Sequence, residues 1–206
     1  ICSYYSKTNI DVMIVHNLNK NFVQFETDNI KFYYSNESNF LVRILEISDQ
    51  INSEYCQIFS DDDFIFETNI NDCINFLKIN RNYSSAQGLS FGFDYNNASS
   101  LELYEGLSFN NINRLHDSKI KNIRLFHSFT SRYVDRAFSI MKKDCLISIL
   151  NSYKKISKTY PECWELYFIV CLTMAGRDIA IQDVGWIKGQ HEKNLHKTQK
   201  TGPEER

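Results

Sequence analysis

Apolar positions along the chain recur with two different periods. IDVMIV (10–15) is a nearly continuous apolar run and predicts a buried strand; FVQF (22–25) and IKFYY (30–34) are short and β-prone. From Ser38 the period becomes helical. Phe40, Leu41, Ile44, Leu45, Ile47 and Ile51 predict an amphipathic helix to about Ser53. YCQIF (55–59) reads as the next strand. Asn69, with Asp72 three residues on, reads as the N-cap of a helix that buries Ile70, Ile74 and Leu77 and ends near Asn80. SSAQGLSFGF (84–93) is extended. Residues 94–131 are polar, Asn-rich and weakly periodic, with a short helix expected at 99–106. RAFSIMKK (136–143) predicts a strand, and 143–157 an amphipathic helix on Leu146, Ile149, Leu150 and Tyr153. Pro161 opens a further helix, ECWELYFIVCLTMAG, which Gly176 closes. DIAIQD (178–183) is the last expected strand.

Strands alternating with helices predict an α/β sheet with helices on its faces. The length of 206 residues suits one domain, 1–188, followed by a polar tail, 189–206. With 15 Phe and 12 Tyr there is ample material for a core. A net charge of −2 and a pI near 6.2 argue against a broad basic footprint for nucleic acid. No apolar run is long enough to span a membrane, and the N-terminus has no basic region followed by a long apolar core. The six cysteines form no CxxC pair and no zinc-like spacing, so they read as buried, reduced thiols of a cytosolic protein.

Two acidic features stand apart from this pattern. The first is Asp61, Asp62 and Asp63, between a strand and a helix. Ligands of open α/β sheets gather at the carboxyl ends of strands. Carboxylates packed this closely repel one another, and a hard divalent cation such as Mg²⁺ or Mn²⁺ removes that penalty. Strand alternation points Asp61 and Asp63 to one side and Asp62 to the other. A solvated turn is the competing reading, since a D-x-D spacing also arises by chance. An EF-hand is excluded, because counting from Asp61 the sixth position is Phe66, not Gly. The second feature is Glu165, the one acid in an otherwise apolar stretch of helix. Burial raises a carboxyl pKa and suits it to general-base work. Its place near a helix N-terminus gives an equally good electrostatic reason for an acid there.

Taken together, IFSDDDF and WELYFIVCLTMAGRDIAI resemble the DxD metal motif and the catalytic helix of an inverting, family-two-like nucleotide-sugar glycosyltransferase. HSFTSRYVDRAFSIMKKDCL resembles the segment between those motifs that shapes the acceptor site, and SYYSKTNIDVMIV the end of the first helix and the second strand. The resemblance implies the GT-A fold: three α/β/α layers around a mixed, mostly parallel sheet, here lacking the first strand. It implies a Mn²⁺ or Mg²⁺ ion held by Asp63 and Asp61, with His191 either a further ligand or an uninvolved residue of the tail. Asp61 would contact the donor, Asp62 would contact it or be structural, and Glu165 would be the general base. A nucleotide-sugar donor and a glycan or lipid-linked acceptor follow. So does a cytoplasmic setting, peripheral to the inner face of a membrane, in polysaccharide synthesis. The pattern departs at Trp164, which replaces the family's first acid, and at His16 and Asn17, where an acid often reads the base. Arg132 and Arg136 read either as phosphate contacts or as surface salt bridges. The rivals are a Mg²⁺-dependent phosphohydrolase and an inactive nucleotide- or carbohydrate-binding remnant.

Overall fold

In the computed structural model, which describes residues 2–17, 27–60, 63–94, 102–105, 117–130 and 136–190, Ile140 and Met141 are neighbours on one short strand and belong to different cores. Successive strand residues point to opposite faces, so this strand has packed layers on both sides. The strands are β1 (Val12–His16), β2 (Ile30–Tyr34), β3 (Tyr55–Cys56), β4 (Asp63–Ile65), β5 (Tyr83–Asp94), β6 (Glu102–Glu105), β7 (Ile140–Lys142) and β8 (Arg177–Gln190). The helices are α1 (Cys2–Tyr5), α2 (Phe40–Glu46), α3 (Glu67–Ile79), α4 (Lys121–Thr130), α5 (Lys143–Lys154) and α6 (Trp164–Ala175).

On one face, Leu41 of α2, Leu146, Ile149, Leu150 and Tyr153 of α5, and Phe168 and Leu172 of α6 close over Met141. On the other, Cys73 and Leu77 of α3 pack on Tyr55, Tyr83, Ala86 and Ile140. The class is therefore mixed α/β, as the alternation of periods predicts. Six strands form one sheet in the order β3-β7-β5-β8-β4, with β6 also on β5; β1 and β2 form a separate parallel pair. The expectation of a mostly parallel sheet is corrected. Within the larger sheet only β5 and β8 run parallel, and the other described pairings are antiparallel. The reason lies in the links. A parallel return needs a crossover of about a dozen residues. The segment 95–101 is shorter than that, so β6 folds back antiparallel on β5.

Local chemistry sets several boundaries. Asn39 caps α2, its side chain accepting from Leu41 N at 3.1 Å and Val42 N at 3.3 Å. That helix stops at Glu46 and a 3-10 turn, Ser48–Gln50, brings Ile51 to a buried position, so one apolar period spans two elements. Helix α3 starts at Glu67, earlier than Asn69 was expected to cap it. Asn69 is instead a buried residue of the helix, lying over Gly88 of β5 and Gly185 of β8. Within the expected helix at 99–106, residues 102–105 are strand β6, paired with Phe91–Asp94. FVQF lies outside the described residues. RAFSIMKK divides into a 3-10 turn, Arg136–Phe138, and β7. Gly176 closes α6 in extended backbone; a Cβ there would sit 2.9 Å from Ser84 N, so the glycine answers a close approach. Strand β8 runs to Gln190, past the boundary expected at 188.

The crossing of β5 and β8 is tighter still. A Cβ on Gly88 would stand 2.5 Å from Gly185 Cα and would also strike the Asn69 amide. Backbone cannot retreat there without breaking the ladder. Gly88→Ala is expected to lower stability by about 1–3 kcal/mol, measured by urea denaturation; an unchanged midpoint would show that the strands can separate freely at this point.

Candidate functional site

The acidic segment is held at its flanks by aromatic packing. Tyr4 and Phe64 lie 4.6 Å apart, Phe64 and Phe66 5.2 Å, and Tyr5 and Phe59 5.9 Å. Tyr5 is buried, and its hydroxyl accepts from Ile65 N at 2.9 Å and donates to Ile65 O at 3.1 Å. Burial pushes the Tyr5 phenol up to about 12, with the nearby Asp63 carboxylate adding to the rise. The phenol therefore stays protonated and can donate. Helix α1, too short to persist alone, is thereby fastened to the strand that carries Asp63.

Asp63 is 2% exposed and stands opposite Lys188 in the β4–β8 register. It shares the buried side of its strand with Ile65, and its N–H donates to Ser60 O at 3.3 Å. Asp61, Asp62, Arg132 and His191 lie outside the described residues. Among the described residues, no group of three or more ligating side chains comes together. The donor set expected for a cation is thus represented here by Asp63 alone.

Glu165 sits in the first turn of α6, half-buried. Phe168 and Leu172 follow it at helical spacing and are fully buried, so Glu165 heads the stripe that faces the sheet. Trp164, in place of an acid, packs edge-on against Phe40 at 4.7 Å. Chain direction then relates the two acids. Helix α6 descends to Gly176 and β8 ascends from Arg177, and the rise of α6, about 18 Å, brings its start level with about the first six residues of β8. Strand β4 runs antiparallel to β8 and begins opposite Lys188. Asp63 thus lies near the carboxyl end of β8, and Glu165 lies at the head of α6. His16 closes β1 with its ring 5.9 Å from Tyr34 and 6.5 Å from Phe32.

Arg136 is a different matter. It is neither on the surface nor placed to meet solvent phosphate: it is 1% exposed and pairs with Asp178 at 2.8 Å. Asp178 also accepts from Ser85, and Arg136 Nη1 donates to Thr173 Oγ1 at 3.3 Å. All six cysteines are free thiols. Burial pushes Cys56 up to about 12 and Cys145 to about 11, which removes them as nucleophiles. Sequence reasoning missed the part played by Tyr5 and the burial of Arg136; the Tyr4-Tyr5 pair just before the first strand was the available signal for the former.

The fold is that of a mixed α/β protein with a buried carboxylate, Asp63, near the carboxyl end of β8. No protein-family model matches the chain, and no curated protein matches it. No described helix is long and apolar enough to cross a membrane.

Proposed function

We propose that the chain is a metal-dependent glycosyltransferase that moves a sugar from a nucleotide-sugar donor to a hydroxyl acceptor with inversion. The observation that supports this reading most is the buried Asp63 at the start of β4, opposite Lys188 and close to the carboxyl end of β8, where α/β proteins bind ligands. Asp63, together with Asp61 and with His191 as a further ligand, would hold the cation. Bound there, Mn²⁺ or Mg²⁺ would neutralise the charge that develops on a departing diphosphate. Asp62 would face the donor. Glu165, half-buried at the head of an apolar stripe, removes the proton from the acceptor hydroxyl as that oxygen attacks the anomeric carbon from the face opposite the diphosphate. The setting fits a cytoplasmic enzyme of surface-polysaccharide synthesis with a glycan or lipid-linked acceptor.

The test is a thermal-shift series with nucleoside diphosphates, with and without Mn²⁺. At least one nucleotide is expected to raise the melting temperature only with the metal present, and Asp63→Ala is expected to abolish that rise. A series with no metal-dependent shift removes the donor site from the proposal. Release of phosphate from simple phosphomonoesters would favour the phosphohydrolase instead.

A further inference from the structure

The start of α4 combines two features that the transferase reading does not use. The first is a concavity of about 240 Å³ lined by Asn82, Lys119, Arg124, Gly176 and Arg177. Its lining carries three cations and no acid, and one of those cations, Arg177, pairs with Asp117. Arg124 is anchored through Nε to Thr173 O at 3.2 Å and through Nη1 to Ser118 O at 2.9 Å, which fixes its charge in the wall. Arg177 is fixed by Asp117 and lies 4.3 Å over the Tyr83 ring. A preorganised group of guanidinium and ammonium charges around a small concavity suits a phosphate.

The second feature stands beside it. Ile120, Ile123 and Phe126 are 59%, 40% and 62% exposed, on successive turns. Single apolar side chains on a surface are ordinary, but these follow one another at helical spacing. Lys119 and Lys121, both exposed, flank them. Helix α4 packs along α6, whose Leu166 and Met174 are also exposed. The apolar residues project outward while the concavity is cationic. A protein partner's hot spot has the reverse arrangement, an apolar pocket with a charged rim. Projecting Ile and Phe beside Lys is how a peripheral helix enters a bilayer interface.

We propose that this face docks on an anionic phospholipid surface, with a lipid phosphate headgroup in the Lys119–Arg124–Arg177 concavity and Ile120, Ile123 and Phe126 in the acyl boundary. The inference does not depend on the transferase reading, since none of these residues has a part in it. The full chain is mixed with vesicles of phosphatidylcholine alone or of phosphatidylcholine with phosphatidylglycerol, and the vesicles are sedimented. Binding is expected to the mixed vesicles only and to be lost in high salt. Each basic residue near such a surface is worth roughly fivefold in partitioning, so Lys119→Glu is expected to weaken binding by more than that. The double variant Ile123→Ser/Phe126→Ser is expected to weaken it by roughly tenfold or more. These side chains are exposed, so both variants should melt as the parent does. Equal binding to neutral vesicles, no binding to either, or unchanged binding by both variants overturns the proposal. So does a Lys119-dependent thermal shift with inorganic phosphate alone in a chain that ignores vesicles, which would make the concavity a site for a soluble anion.

Discussion

Arg136→Ala is expected to destabilise the protein by about 3–5 kcal/mol, the range for removing one partner of a buried ion pair. The guanidinium is almost wholly out of water, and burial pulls its pKa down while Asp178 holds it up. Its charge is tolerable only because the Asp178 carboxylate lies 2.8 Å away. Asp178 in turn accepts from Ser85 and, at 3.5 Å, from Ser84. Truncating Arg136 leaves that carboxylate buried among hydroxyls without a counter-charge. The pair ties neighbouring strands together: Arg136 lies in the turn before β7, Asp178 is the second residue of β8, and Ser84 and Ser85 lie on the β5 strand between them. Replacing both charges, as Arg136→Met/Asp178→Leu, is expected to recover much of the loss, since an apolar pair of similar volume avoids the desolvation. Urea melts of the two single variants and the double form a cycle that isolates the coupling. A single variant within about 1 kcal/mol of the parent would show that water or another partner takes over the charge.

Glu165→Gln is expected to lower turnover by about 10²–10⁴-fold, the usual contribution of a positioned general base, while donor affinity stays unchanged. The amide keeps the shape of the carboxylate and loses only its capacity to take a proton. Glu165 heads the stripe that Phe168 and Leu172 bury, so its place depends on the packing of α6 and not on a mobile loop. Pairing the rate with the metal-dependent thermal shift separates two failures. A variant that binds donor but does not transfer fits the base; a variant with full activity removes Glu165 from the chemistry.

The parts of the fold legible in the sequence are those whose signals are local. Helix α6 is bracketed by Pro161 and Gly176, and α5 shows its buried stripe in Leu146, Ile149, Leu150 and Tyr153. Strand β1 is marked by its apolar run. Helix α4 was not legible, because the residue it turns inward is Arg124 and those it turns outward include Ile123 and Phe126, the inverse of the pattern a helix reading looks for. The length of β8 was not legible either: residues 184–190 are ordered by pairing with Leu89–Asp94, which no local window contains. Asn69 misled because a residue suited to capping can also fill the space over two glycines. At the candidate site, the sequence indicated the acids, whereas the antiparallel pairing that sets Asp63 opposite Lys188 depends on the topology of the whole chain.

The position of β8 bears on how the molecule is made. It is the last described strand to leave the ribosome, yet it lies between β5 and β4, and its parallel ladder with β5 joins residues far apart in sequence. Until it emerges, β4 and β5 each present an unsatisfied edge to the cell. Closing such distant pairings is slow, and exposed edges recruit other chains. Nascent molecules truncated before Arg177 should therefore be far more prone to aggregate than their length alone would suggest.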